Sequence, residues 1–106
     1  MPSKLRRYEL LRPIKFNDGK DVPREWLAEA AKEGSNFFGA VSYETAEIQG
    51  QWRQAGITFH DTLVRIVADI EDTPANRNWM KAYRDRWKKR LDQLELWLVS
   101  YTITIE

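Results

Sequence analysis

Residues 50–70 read Gly-Gln-Trp-Arg-Gln-Ala-Gly-Ile-Thr-Phe-His-Asp-Thr-Leu-Val-Arg-Ile-Val-Ala-Asp-Ile, and the other segments of the chain are arranged around them. From Ile57 onward the residues are β-branched, aromatic or alternating, which is typical of a long strand. Gly56 provides the backbone freedom that a hairpin turn before this strand requires. Apolar residues occupy both odd and even positions, so both faces of the strand are apolar. Leu63 and Val67 lie on one face, and Val64 and Ile66 on the other. A strand that is apolar on both faces belongs near the middle of a sheet.

The residues before this strand predict a strand, a helix and a second strand. Residues 7–16 alternate with a period of two, which predicts the first strand. Pro23 is suited to the first position of a helix, and apolar residues then recur at helical spacing as far as Phe38. Gly39 predicts the end of that helix. Residues 41–52 predict a strand with one polar face, as expected at the edge of a sheet.

The residues after the long strand predict a second helix and a last strand. Asp72 or Thr73 is suited to cap the helix, and Pro74 to begin it. An apolar stripe at helical spacing predicts a helix of roughly 20 residues. The stripe consists of Trp79, Met80, Tyr83, Trp87, Leu91 and Leu94. Residues 96–105 are strongly β-prone and predict the final strand.

The predicted order is strand, helix, strand, strand, helix, strand, in one domain spanning residues 1–106. This order is that of the ferredoxin-like βαββαβ fold, an α+β fold with a four-stranded antiparallel sheet and both helices on one face. The other face of the sheet is bare in a monomer. Because the inner strands are apolar on both sides, we expect a homodimer that packs through this open face or through edge strands.

Composition excludes several classes of site and leaves the compartment as an expectation. The chain has 106 residues, no cysteine and a single histidine, His60. A disulfide framework, a thiolate metal site and a metal site built on a histidine pair are therefore excluded, and no metal or cofactor is predicted. The basic amino terminus lacks the apolar run of a secretory signal, and no segment approaches the ~20 apolar residues of a membrane span. A cytoplasmic bacterial protein is expected.

Five short motifs carry a resemblance to a known family. They are Pro-Ser-Lys-Leu-Arg-Arg-Tyr-Glu-Leu-Leu at 2–11, Phe16-Asn17-Asp18-Gly19, Phe38-Gly39-Ala40, Gly50-Gln51-Trp52 and Asp72-Thr73-Pro74. With them the chain resembles, over nearly its whole length, a family of short uncharacterised bacterial proteins. That resemblance brings no catalytic residues with it. In topology the chain is also similar to the dimeric α+β barrels, which include cofactor-independent monooxygenases and chlorite-dismutase-like haem proteins.

Charged residues on the long strand are the first candidates for a functional site. Asp61, Arg65 and Asp69 follow at four-residue steps, so all three share one face with Leu63 and Val67. On the open face they could form ion pairs across a dimer axis or surround an anionic ligand. Arg12 could join them there as a guanidinium fork for a carboxylate.

Aromatic residues and the lone histidine are the second group of candidates. Trp26, Trp79 and Trp87 fall on helix stripes and are predicted to be core. The candidates for a pocket or dimer contact are Trp52, Phe59, Trp97 and Tyr101. His60 could act as a general base or a haem ligand, but its place near the hairpin favours a structural or solvent-exposed role.

The predicted second helix carries a strongly basic segment of the chain. Residues 74–93 contain seven basic and two acidic residues. Four of the basic residues, Arg77, Lys81, Arg84 and Lys88, follow one stripe, which could track a phosphate backbone. The long strand lacks the aromatic motif of ferredoxin-like RNA-binding domains. A solvent-exposed helix face is therefore favoured over a nucleic-acid contact for this stripe.

These observations rank three functions. A homodimeric binding or interaction module comes first. A small-molecule enzyme or ligand binder of the dimeric α+β barrel type comes second, with a pocket between sheet and helices. A nucleic-acid binder that uses the basic helix comes third. No nucleophile, acid–base or cofactor motif is present, so the sequence favours a protein that is not an enzyme.

Overall fold

The computed structural model describes residues 4–38 and 41–106 and contains two helices and four strands among them. The elements are β1 (Leu5–Pro13), α1 (Arg24–Phe38), β2 (Ser42–Gln54), β3 (Ile57–Glu71), α2 (Pro74–Arg90) and β4 (Leu98–Ile103). Their order confirms the predicted βαββαβ arrangement. No helix in these two ranges combines the length and the apolar character needed to cross a membrane.

The four strands form one antiparallel sheet in the order β2-β3-β1-β4. This is the strand order of the ferredoxin-like α+β fold, as predicted. β3 and β1 are the two inner strands, which agrees with the apolar character of both faces of β3. β2 and β4 form the two edges.

Both helices pack on one face of the sheet, which we call the covered face. Residues of even number on β1 and β3 point to it, and the core forms between them and the helices. The buried core consists of Tyr8, Leu10, Ala30, Ile66, Ala68, Ile70, Met80, Tyr83, Trp87, Leu91 and Leu96. Trp26 and Trp79 are partly buried against this cluster. The opposite face, which we call the open face, is not packed against either helix.

The start of α2 follows from local chemistry. Thr73 has an extended backbone, and its hydroxyl accepts a hydrogen bond from the Asn76 amide at 3.1 Å. Pro74 occupies the first helical position, where the missing N–H would have had no partner. The predicted cap and the predicted first residue are both confirmed.

The end of α2 differs from the prediction. The helix ends at Arg90, and Leu91 caps it. Asp92 then has a positive φ of 52°, which turns the chain away from the helix axis. Leu94 is therefore 73% exposed, and its assignment to the apolar stripe is wrong.

The β2–β3 turn is shorter than the four residues, 53–56, that lie between the two predicted strands, and both strands extend beyond the rest of the sheet. Ala55 and Gly56 form a two-residue turn with positive φ at both positions, as a type I′ hairpin requires. β1 pairs with β3 only from Leu63 onward. The residues between 50 and 61 therefore form a two-stranded hairpin arm. The predicted end of α1 at Gly39 and the junction at Ala40 lie outside the described residues.

Candidate functional site

The open face is built from the odd-numbered residues of three neighbouring strands. Glu9 on β1 lies opposite Val67 on β3 and opposite Val99 on β4. In the same way Arg7 lies between Asp69 and Tyr101. Cross-strand neighbours on one face are close enough to interact, so charged and apolar side chains lie side by side on this surface.

The arginines on the open face are paired within the chain. The Arg65 Nη1 atom lies 3.2 Å from Glu9 Oε1 and 3.5 Å from Glu44 Oε1. Arg7 donates two hydrogen bonds to the Asp69 carboxylate, from Nε at 2.7 Å and from Nη2 at 2.9 Å. The hydrogen bond to Asp69 and its negative charge raise the pKa of Arg7. The pairing reduces the net charge that a partner surface would meet.

The apolar residues of the open face are half-buried in the middle and exposed toward β4. Leu11, Leu63 and Val67 are of intermediate exposure. Val99 and Tyr101 are 39% and 45% exposed, and Trp97, just before β4, is 65% exposed. The result is an apolar margin along the edge of the sheet, next to the paired charges.

The structure places Asp61, Arg65 and Asp69 on one face, as their spacing predicted. Arg65 and Asp69 are in the part of β3 that pairs with β1. Asp61 is opposite Gly50 in the hairpin arm, beyond the end of β1. The three residues share a face, although Asp61 is separated from the other two along the strand. Their role in an interface or a ligand clamp stays a prediction.

The expected grouping of Arg12 with these residues is wrong. Arg12 lies opposite Val64 on the covered face and is only 2% exposed. Its Cζ atom is 4.3 Å from the centre of the Trp87 ring, and Nη1 donates to the Trp26 carbonyl at 3.3 Å. Burial lowers the pKa of Arg12 to about 10. Arg12 shares the parity of Tyr8 and Leu10, and this signal in the sequence indicated the core.

Three further candidates, His60, Trp52 and Phe59, lie in the hairpin arm. His60 is exposed and lies opposite Gln51, beyond the part of the sheet that the helices cover. Trp52 and Phe59 are paired in the backbone register of the hairpin. Their side chains lie outside what the structure describes, so their predicted role in a contact or pocket stays a prediction.

Three residues of the basic stripe on α2 line a cleft. Arg77, Lys81 and Arg84 face an opening of about 370 Å³ between α2 and the β1–β4 side of the sheet, and Lys88 is not part of it. The remaining lining residues are Arg6, Tyr8, Leu98 and Ser100. Sequence reasoning missed Arg6 and Ser100, which lie 94 residues apart and meet only through the pairing of β1 with β4.

The described residues contain no group of three or more His, Asp or Glu side chains placed to hold a metal ion. The whole chain has no cysteine and a single histidine. Carboxylates near the sites above are instead engaged with arginines, as in the pairs of Asp69 with Arg7 and of Glu9 with Arg65. The arrangement is suited to contacts between surfaces and to anion binding.

Neither a protein-family model nor a curated protein sequence matches the chain. Several solved structures are similar to it in fold. A phage SAM lyase in complex with S-methyl-5'-thioadenosine has a TM-score of 0.70 and 10% sequence identity, over 99% of this chain and 93% of the lyase. The divalent cation tolerance protein from Thermus thermophilus has a TM-score of 0.65 and 12% identity, over 96% and 86% of the two chains.

A third similar structure is the divalent ion tolerance protein CutA1 from Ehrlichia chaffeensis. It has a TM-score of 0.62 and 6% identity, over 100% of this chain and 87% of the other. At such identities the likeness concerns the fold alone. It agrees with the ferredoxin-like arrangement read from strand order and register, and it leaves the function to be argued from this chain's own residues.

Proposed function

We propose that this chain is a homodimeric interaction module whose two copies pack through their open sheet faces. The observation that carries the proposal is the combination found on this face. Its two arginines, Arg7 and Arg65, are already paired within the chain, while its apolar side chains toward β4 are exposed. Apolar groups rimmed by polar ones mark protein interaction surfaces.

The internal ion pairs favour burial of this face. Moving an isolated charge out of water costs much free energy. Moving a charge that is paired and hydrogen-bonded costs less. Arg65 is one third exposed and contacts both Glu9 and Glu44. Arg7 holds Asp69 with two parallel hydrogen bonds. A second copy would therefore meet a surface whose cations are already neutralised.

The size of the face suits a dimer. A sheet about 30 Å long, with four strands about 4.8 Å apart, has an area of roughly 500 Å² in flat projection. Side-chain relief and the exposed residues beside β4 increase the area that can be buried. A standard interface takes about 800 Å² from each partner, so the proposed dimer would also use Trp97 and the adjoining hairpin arm.

The functions named for the similar structures are not part of this proposal. Divalent cations belong to the names of the two tolerance proteins, and S-methyl-5'-thioadenosine to the lyase complex. Within residues 4–38 and 41–106 no cluster of acidic or histidine side chains supports a cation site. The cytoplasmic location and bacterial origin expected from the sequence stay predictions.

The test is the mass of the protein in solution. Sedimentation equilibrium at micromolar concentrations is expected to give twice the 12.6 kDa of one chain. Tyr101→Lys places a cation on the open face opposite Arg7 and should weaken the dimer at least about tenfold. The reason is that this lysine would have to be buried without a partner.

A matched control lies one residue further along the same strand. Thr102→Lys also places a lysine opposite an arginine, Arg6, but at the parity of the covered face. It should leave the dimer unchanged. A wild-type protein that sediments as a monomer contradicts the proposal, and so does equal weakening by both variants. Circular dichroism checks that both variants are folded.

A further inference from the structure

The cleft beside α2, which we call the basic cleft, lies on the opposite side of the sheet from the open face. It has a volume of about 370 Å³. Three different elements contribute to its walls. Its lining residues are Arg6 and Tyr8 from β1, Arg77, Lys81 and Arg84 from α2, and Leu98 and Ser100 from β4.

The basic cleft has an excess of positive charge. Four of its seven lining residues are cationic. Asp72 Oδ1 lies 3.0 Å from Arg6 Nε and 3.7 Å from Arg77 Nη2, so one carboxylate forms ion pairs with two guanidinium groups. Lys81 is exposed and has no ion pair with any residue in the described ranges. The cations therefore outnumber the carboxylates that hold them.

Hydrogen-bond donors also converge on the basic cleft. Arg6 Nη1 donates to the Ser100 hydroxyl at 3.1 Å, which fixes the guanidinium group between β4 and Asp72. Tyr8 is only 3% exposed, and its hydroxyl has no hydrogen-bond partner among the described residues. A buried hydroxyl without a partner is unfavourable, and an oxygen-rich ligand that entered the cleft deeply enough to reach it would satisfy it.

We propose that the basic cleft binds the phosphate group of a small phosphorylated molecule. Guanidinium groups provide parallel donors that fit phosphate oxygens, and Lys81 adds a compact charge. The volume falls within the range of small-molecule sites and exceeds the need of a phosphate ion alone. Tyr8 and Leu98 provide an aromatic and an aliphatic surface for the organic part of the ligand.

The arrangement differs from that of a solvated helix face or a nucleic-acid surface. A solvated face needs no matching residues on other elements, whereas Arg6 and Ser100 come from two strands of the sheet. A phosphate backbone would be followed along the whole basic stripe, but Lys88 is not part of the cleft. The three arginines and Lys81 surround one volume, which suits a compact ligand.

The experiment is calorimetric titration of the purified protein with a defined panel. The panel contains inorganic phosphate, pyrophosphate, adenosine monophosphate, a hexose phosphate and a single-stranded oligonucleotide. At least one phosphorylated small molecule is expected to bind saturably at one site per chain, and more tightly than inorganic phosphate. Its affinity should fall moderately between roughly 50 and 200 mM salt, because few phosphate charges are involved.

Two lysines on the same helix provide a matched pair of variants. Lys81→Gln removes an exposed charge that lines the cleft and should weaken binding roughly tenfold. Lys89→Gln removes an exposed charge outside the cleft and should leave the affinity unchanged. Tyr8→Phe removes the unpartnered hydroxyl, so it should weaken binding several-fold without lowering the melting temperature of the free protein.

Three results would overturn the proposal. The first is the lack of saturable binding to every small phosphorylated member of the panel. The second is equal weakening by Lys81→Gln and Lys89→Gln, which would indicate diffuse attraction to the basic helix. The third is tighter binding of the oligonucleotide than of any small molecule, which would assign the stripe to nucleic acid. Each result is independent of whether the chain dimerises.

Discussion

The same residue types lie in different surroundings on the two sides of this sheet. On the covered side, Trp87, Tyr83 and Arg12 are each no more than 2% exposed. On the open side, Trp97 and Tyr101 are 65% and 45% exposed, and the Arg65 side chain is one third exposed. The residue type alone therefore does not predict the role of a side chain.

The difference teaches that parity within the strand, rather than polarity, decides where a residue lies. Arg12 is charged but occupies an even position of β1, so it is buried against Trp87. Leu11 is apolar but occupies an odd position, so it lies on the open face. Side chains alternate between the faces of a strand whatever their chemistry. Strand parity applies to the arginine pair, and the tryptophan and tyrosine pairs compare a buried residue of α2 with an exposed residue on the open side.

The largest effect is expected for the tryptophan pair. Trp87 is 2% exposed and contacts Arg12 and Trp26. Trp87→Ala should lower the free energy of unfolding by about 3 to 5 kcal/mol, because it removes a large buried ring and leaves a cavity. Chemical denaturation followed by circular dichroism measures this loss.

Trp97→Ala is the control for that experiment. Trp97 is 65% exposed, so in dilute solution its removal should change the free energy of unfolding by less than about 0.5 kcal/mol. At concentrations where the proposed dimer forms, the same variant should weaken association. Comparable losses of stability from the two alanine variants in dilute solution would show that the two faces are not different.

A smaller effect is expected for the tyrosine pair. The Tyr83 hydroxyl donates to the Ala30 carbonyl at 2.7 Å and connects the two helices. Tyr83→Phe removes this buried hydrogen bond and should cost about 1 kcal/mol. Tyr101→Phe removes a hydroxyl from the open face and should cost less than about 0.5 kcal/mol. A Tyr83→Phe protein as stable as the wild type would mean that the hydroxyl has no structural role.

Local signals in the sequence were sufficient to predict the start of α2 and the long strand. Thr73 and Pro74 determine the beginning of the helix through a side-chain cap and a missing donor, both of which are chemistry of the residues themselves. The end of the helix was not predictable in this way. The apolar period continues to Leu94, but the backbone turn at Asp92 interrupts it.

The candidate sites depend on strand register, which a single strand does not reveal. The spacing of Arg65 and Asp69 predicted that they share a face, and the structure places them together. Their partners Glu9 and Arg7 follow only from the alignment of β1 with β3. The basic cleft needs a further alignment, because Arg6 and Ser100 meet through the pairing of β1 with β4.

The arginine pair gives the smallest effect. Arg12 is buried with an unpartnered Nε, and Met is an unbranched apolar side chain that fills similar space. Arg12→Met should therefore change the free energy of unfolding at neutral pH by less than about 1 kcal/mol. Arg65→Met leaves Glu9 without its cation on a partly exposed surface and should also cost less than about 1 kcal/mol.

The pH dependence distinguishes the two arginines. Burial lowers the pKa of Arg12 from its ordinary value to about 10, so the folded protein releases this proton at a lower pH than the unfolded chain does. In that pH range the unfolded chain binds more protons, and the stability of the wild type relative to Arg12→Met should rise with pH. Denaturation at pH 7 and at two values above 10 measures the difference. A difference that stays constant across these pH values would show that the charge of Arg12 is not buried unfavourably.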